Sequence, residues 1–305
     1  MIAELAVAKG GVLRIFNRRR IVAGFKLLFE LHPPQRNVEV FPDDIFIVSY
    51  PKSGNTWTRF LIANLVYPDT PANFININDL TPDPEALSKR RMARMPRPRI
   101  IKSHQYFDPR YPRIINIVRD PRDVALSQFH FHRKRRLIAD DYPLQEWVKS
   151  FLSSDFTVYG SWGDNVGSWL ATRYGRPGFL LLRYEDMISH PERELTRVAS
   201  FLDINRDPKS ISEAVRRSSA DNMRQLEKTQ SLSWGGTRET RQDIPFIRSA
   251  KSGGWRSDLP AASVAMIETA WGPWMRWLGY ELSSGSNRSQ SDFEFPESVL
   301  GIPAG

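Results

Sequence analysis

From Pro42 onward, compact apolar runs alternate with stretches of helical period. The runs at Ile45–Ser49, Ile100–Lys102, Ile114–Val118 and Phe179–Arg183 are short, aliphatic and bounded by polar or turn residues. That pattern predicts buried strands. Helical spacing of apolar positions fills the intervals at 56–66, 122–136, 144–152, 161–174 and 191–202. Residues 204–228 also read as helical, 229–258 as loop, and "AASVAMIETAWGPWMRWLGYEL" as a closing helix. Residues 68–99, rich in Pro, Asn and Arg, predict loops with one short helix, the kind of segment that shapes a substrate site. Short strands separated by helices predict a single α/β domain with a mostly parallel central sheet flanked by helices.

No internal repeat or linker divides the chain, so three regions are expected: an N-terminal basic helical extension over 1–40, a domain over 41–282, and a polar, loosely ordered tail over 283–305. Within the extension, Ile21, Phe25 and Leu28 recur at helical spacing beside Arg18, Arg19 and Arg20. A helix packed on the domain, a mobile extension and a peripheral membrane contact all fit that pattern.

Composition narrows the chemistry. At 41% hydrophobic and 11% aromatic residues the chain is globular in type, and its net charge of +9 favours anionic partners. The absence of cysteine excludes disulfides, thiolate catalysis and Cys-ligated zinc, and makes a reducing cytoplasm the simplest home. No apolar stretch approaches a membrane span. Arg14, Arg18, Arg19 and Arg20 interrupt what would have to be the apolar region of a secretory signal.

Between the first strand and the next helix stands "SYPKSGNTWTRFLIANL", residues 49–65. A strand-to-helix turn offers unpaired backbone amides at the helix start, which makes it an anion cradle. Gly54 lets a ligand approach the backbone; Ser53, Asn55 and Thr56 can add donors, and Lys52 adds a charge. The plainer alternative is a capped helix with Lys52 in solvent. The nucleotide P-loop pattern does not fit, because Lys52 precedes Gly54 and no Gly-Lys-Ser/Thr follows, which weakens a kinase reading.

"YPKSGNTW" resembles the 5′-phosphosulfate-binding loop of the cytosolic-type sulfotransferases. Four further stretches follow in that family's order: "IVRDPRDVALSQFHF" (117–131), "YGSWGDNVGSW" (159–169), "LLRYEDM" (181–187) and "FIRSAKSGGW" (246–255). The resemblance spans residues 42–280 and implies a P-loop NTPase-like fold. It also implies the donor 3′-phosphoadenosine 5′-phosphosulfate (PAPS), the product 3′,5′-adenosine bisphosphate (PAP), and no metal.

The resemblance assigns roles residue by residue. Lys52 would neutralise the departing bridging oxygen, while Ser53, Gly54, Asn55, Thr56 and Trp57 offer their amides to the 5′ end. Arg119 and Ser127 match the 3′-phosphate ligands, and His104 the catalytic base. Lys102, on the same side of its strand as His104, would assist the leaving oxygen. Trp57 would stack on adenine and Tyr184 meet the base edge, with burial in the core as the alternative for both. Ser218, with Ser219, fits a hydroxyl pair. Arg248, Ser249 and Ala250 stand where the family has Arg-Lys-Gly, so one cation is missing and a Cβ is added. Gly254 replaces an Asp, and Ala220 an aromatic that often covers adenine. Outside these roles, Arg122 reads as a surface residue paired with an acid. His130 and His132 read as packing or surface groups, His190 as part of a helix start, and Trp162 and Trp169 as core.

The implied reaction moves a sulfuryl group from PAPS to a hydroxyl, or an amine, of a small acceptor. Phe74, Phe107, Phe131, Tyr142 and Phe156 point to a hydrophobic or aromatic alcohol or phenol. No nucleic-acid partner is expected, and no residue pattern sets an oligomeric state. Two rivals stand beside this reading. One is a P-loop kinase-like phosphotransferase; the other is a non-catalytic module binding anions or lipid through "RRR" and the "RKRR" of 133–136.

Overall fold

The computed structural model describes residues 38–283. The N-terminal segment around Ile21–Leu28, with its three alternative readings, and the tail beyond Ser283 lie outside them. Four strands, β1 Ile45–Ser49, β2 Ile100–Ser103, β3 Arg113–Val118 and β4 Phe179–Arg183, form one sheet in the order β2-β1-β3-β4. Every pairing is parallel, as the unbroken apolar runs predict.

Twelve helices are described: α1 Asn55–Val66, α2 Ile77–Leu80, α3 Lys89–Ala93, α4 Pro121–Lys134, α5 Leu144–Leu152, α6 Trp162–Arg173, α7 Tyr184–Ser189, α8 Pro191–Phe201, α9 Pro208–Arg217, α10 Ala220–Gln230, α11 Trp255–Asp258 and α12 Ala261–Trp277. They cover both faces of the sheet. Ile45 and Ile47 pack with Leu61 and Leu65 of α1, Val198 of α8 and Ile211 of α9. Phe46 and Val48, one residue out of phase, pack on the other face with Ile101, Ile114 and Trp169. A third cluster joins Val118 to Trp147, Trp162 and Trp271, tying α4, α5, α6 and α12 together. Trp162 and Trp169 are fully buried, as core residues.

Three local expectations change. The stretch read as one helix over 204–228 is two, because the Ser219 hydroxyl accepts from the Asn222 amide and starts a new helix, as Asp207 does for α9. Residues 68–99 hold two short helices rather than one, and α11 lies inside the expected loop. Arg122 is not a surface residue. It is buried in ion pairs with Asp120 at 2.7 Å and Glu268 at 2.6 Å, which lock α4 to α12.

The chain leaves β1, crosses to β2 on one side, then returns to β3 on the other. In an open parallel sheet this reversal leaves a crevice beyond the carboxyl ends of the strands. The residues that follow β1, β2 and β3 are Tyr50–Gly54, His104 and Arg119.

Candidate active site

The turn after β1 is held in an unusual backbone form. Lys52 has φ 71° and Gly54 φ 99°, both left-handed, and no side chain caps the start of α1. A first turn without a side-chain acceptor presents its amides and the positive end of the helix dipole to the crevice. Ser53 is fully buried, and its Oγ has no hydrogen-bond partner among the described residues. Asn55, expected to add donors to this cradle, turns away from it. Its Nδ2 donates to the Ile47 carbonyl and to Ser49 Oγ, both at 3.1 Å, so it fastens the helix start to β1. Thr56 stays half-buried at the helix start.

A Cβ on Gly54 would lie 2.6 Å from Tyr184 Cδ2, so that ring is pressed against the turn. Tyr184 is buried and carries the Arg119 guanidinium over its face, 4.3 Å from the ring centroid. Trp57 meets Tyr184 edge-on at 5.7 Å and donates its indole N–H to the Ser218 carbonyl at 2.9 Å. Ser218 itself is fully buried and its Oγ accepts from Asn64 Nδ2 at 3.0 Å. Both groups of Ser218 therefore join α1 to the α9–α10 corner.

Arg119 links the first loop to the last one. Nη1 donates to the Lys52 carbonyl at 3.2 Å and Nη2 to the Lys251 carbonyl at 3.1 Å, while Nε is buried without a partner among the described residues. Ser127 lies half-buried on α4, beyond the turn that Arg119 begins. Asp123, on the first turn of α4, accepts from the amides of Gly253 at 2.6 Å and Trp255 at 3.1 Å. That carboxylate orders the loop around Gly254. Ala250, the Cβ-bearing substitute for glycine, is left-handed at φ 51°. Ser249 is exposed and Arg248 half-buried.

The Lys52 ammonium lies 4.2 Å from the Phe131 ring centroid and 4.3 Å from that of Phe246. Burial first, and then repulsion from Arg119 and Arg248, lower its pKa to about 7. Arg248 is lowered in turn, by burial first, with Arg119 among the further causes. Burial and the Arg119 charge thus disfavour the charged forms of Lys52 and Arg248, a condition that a bound polyanion relieves.

At the end of β1, His104 Nδ1 lies 2.7 Å from the Ser49 carbonyl, which can only accept. The proton of the neutral ring therefore sits on Nδ1 and the lone pair on Nε2. Burial, followed by the nearby Lys102 charge, lowers the His104 pKa to about 4, so the ring is neutral at ordinary pH. Lys102, on β2, is engaged by carboxylates. Its ammonium is bound by Asp83 at 2.8 Å and approached by Glu85 at 3.6 Å, and Glu85 also accepts from the Tyr159 hydroxyl. Two further described histidines match the packing and helix-start readings. His132 is buried against Trp147 and Phe156, and His190 precedes α8.

Sequence reasoning misses Asp83, Glu85 and Tyr159, which surround Lys102, and Glu227, Arg224 and Lys134, which hold the last loop. Asp83 and Glu85 stand in a loop without periodic signal, Glu227 and Arg224 look like ordinary polar helix positions, and Lys134 is hidden in a run that reads as a solvated basic patch. It is buried, with its ammonium on the carbonyls of Arg241 at 2.7 Å and Ile244 at 2.6 Å.

Comparison with known proteins agrees with this geometry. The family model described as "Sulfotransferase domain" matches residues 42–279. Sulfotransferase 1B1 of Canis lupus familiaris is 25% identical over 262 residues, covering 80% of this chain and 88% of that protein. Sulfotransferase 1 family member D1 of Mus musculus is 26% identical, covering 84% of this chain and 92% of its own. Among solved structures, retinol dehydratase in complex with retinol and PAP superposes with a TM-score of 0.65 at 20% identity, over 85% of each chain. Mouse sulfotransferase SULT7A1 complexed with PAP gives 0.62 at 24% identity, over 78% of this chain and 86% of its own. At such identities the solved structures establish the shared fold. The match over most of its length makes this chain a member of the sulfotransferase-domain family.

Proposed function

We propose that this enzyme moves a sulfuryl group from PAPS to a hydroxyl, or an amine, of a small hydrophobic or aromatic acceptor and releases PAP. The observation that carries this reading is the gathering of Lys52, Arg119 and Arg248 near an uncapped helix start, with His104 bonded to the end of the strand that leads into it. The residues fit such a donor. Ser53 Oγ and Arg119 Nε are buried polar atoms that lack partners among the described residues, and Gly54 keeps side-chain bulk away from the turn.

Bound, the donor would supply the activated sulfuryl group. The amides from Ser53 to Trp57, with Thr56 and Lys52, would hold its 5′ end by charge-assisted hydrogen bonds. Arg119, Ser127, Arg248 and Ser249 would hold the 3′-phosphate, with Ala250 completing the loop. Trp57 and Tyr184 are the aromatic groups beside the turn that adenine could meet. Ser218 would act through them, since its carbonyl fixes the Trp57 ring. His104, with its lone pair on Nε2, would take the acceptor proton. Sulfuryl transfer, like phosphoryl transfer, relies on positioning and charge stabilisation more than on covalent help.

Retinol dehydratase has been solved with retinol and with androsterone, both lipophilic alcohols. That supports an acceptor of the same chemical class here. Kinship with the cytosolic sulfotransferases supports a cytoplasmic home, and among the described residues no helix is long and apolar enough to cross a membrane.

Titration calorimetry with PAP in EDTA tests the donor site without knowledge of the acceptor. Saturable binding, with none of ATP at the same concentration, is expected. Binding of Mg–ATP with no binding of PAP would restore the phosphotransferase rival.

A further inference from the structure

Helix α10 turns two opposite charges toward one irregular segment, residues 241–249. Glu227 accepts from the amides of Phe246 at 2.5 Å and Ile247 at 2.9 Å. Three residues earlier, Arg224 donates to the carbonyls of Ile247 at 3.4 Å, Arg248 at 3.0 Å and Ser249 at 3.3 Å. Its remaining reach goes to Asp221 at 2.8 Å. From α4, Lys134 takes the carbonyls of Arg241 and Ile244, and the Arg241 amide donates back to the Lys134 carbonyl at 2.9 Å.

Backbone that belongs to neither helix nor sheet must find partners for its polar groups elsewhere. Here a carboxylate takes the amides and two cations take the carbonyls, each by the stronger, charge-assisted kind of hydrogen bond. The segment carries two groups that face the anion site. Phe246 lies against the Lys52 ammonium and packs edge-on with Trp234 at 4.9 Å. Arg248 sits where its charge and that of Arg119 repel each other. All the holding groups belong to the chain itself.

We propose that Glu227 and Arg224 are positioning residues that keep the strap from Phe246 to Ser249 in its donor-receiving form before the nucleotide arrives. The proposal rests on the donor reading above. Glu227 touches no reacting atom in this scheme; it acts through Phe246, which flanks Lys52, and its charge also favours the Lys52 ammonium. Arg224 acts through the backbone of Arg248. A strap ordered only by the donor would give the opposite behaviour.

Hydrogen exchange by mass spectrometry on the full chain, with and without PAP, separates the two. The wild-type peptide covering 244–250 should exchange slowly without nucleotide. In Glu227→Ala its exchange should rise about 10-fold, while peptides from the sheet stay unchanged. PAP affinity should fall by about 10-fold, saturating PAP should restore protection, and KM for the donor should rise with little change in kcat. Glu227→Gln, which keeps one acceptor oxygen and the side-chain volume, should fall between the two and serves if the alanine variant folds poorly. Fast exchange in the wild-type strap that slows only with PAP would overturn the proposal, as would unaltered PAP affinity in both variants. A wild-type strap that is protected while PAP does not bind at all would sink the donor reading, and the positioning role with it.

Discussion

Arg119 Nη1 donates to the carbonyl of Lys52 at 3.2 Å. The cation assigned to one end of the nucleotide therefore also supports the left-handed turn assigned to the other. Its second nitrogen reaches Lys251 in the last loop, so one buried guanidinium joins both anion-facing loops.

Arg119→Ala should cost more than one phosphate contact. Two charge-bearing hydrogen bonds to the loops vanish along with those to the ligand, each of order ~1.5–3 kcal/mol. PAP affinity is expected to drop by about 100-fold or more. Arg119→Lys should recover little, because an ammonium cannot bridge two carbonyls with a fixed fork. Calorimetry on both variants checks this, and near-wild-type affinity in Arg119→Lys would show that charge alone suffices.

Lys52 makes a proton-linkage prediction. Its pKa is lowered to about 7, so above that pH the unliganded enzyme increasingly carries a neutral amine there. A bound anion favours the ammonium and raises the pKa, so binding at pH 8 should take up a proton. PAP affinity should then weaken as pH rises through about 7 and beyond. Calorimetry in buffers of different ionisation enthalpy reads the uptake directly, and Lys52→Met should abolish it. Equal heats in all buffers at pH 8 for the wild type would refute the linkage.

Lys102 and His104 give a pH profile. With its pKa lowered to about 4, His104 is already the free base across the neutral range, and the acidic limb of kcat/KM should fall near 4. Lys102→Met removes a cation that disfavours imidazolium and leaves Asp83 and Glu85 to favour it. The limb should therefore move up toward the ordinary histidine value of about 6.5 while the plateau rate survives. A plateau lowered by about 100-fold with an unmoved limb would instead put Lys102 on the leaving oxygen.

Much of this arrangement is legible in the amino-acid sequence. The strands at Ile45–Ser49 and Phe179–Arg183 can be read to the residue, because an aliphatic run closed by polar turns fits few other states. Lys52, His104 and Arg119 stand at the ends of such runs, where a parallel sheet gathers its ligands. What stays hidden depends on side-chain direction. That the Asn55 amide bonds to β1 and that Lys102 pairs with Asp83 are partnerships which residue type and spacing do not reveal. The Ser218–Ser219 break escapes notice because a capping serine inside a polar helical stretch has the same spelling as a surface one. Charged groups that serve loops, such as Glu227 and Lys134, have partners set only by the tertiary fold.

Gly54 and Ala250 invite opposite substitutions. Both sit at positive φ, 99° and 51°, where a Cβ costs roughly 1–2 kcal/mol. At Gly54 the added carbon would also lie 2.6 Å from the Tyr184 ring, which is fixed between the turn and Arg119. Gly54→Ala should destabilise by about 2–4 kcal/mol and lower PAP affinity as the ring is displaced. At Ala250 the strain is already present, and Ala250→Gly removes it. Glycine's greater freedom in the unfolded chain takes back about 0.4–1 kcal/mol, so the net gain should lie between about 0 and 1.6 kcal/mol. Urea unfolding of the two variants measures both signs. A destabilised Ala250→Gly would mean that the alanine methyl packs usefully in the loop and outweighs its backbone strain.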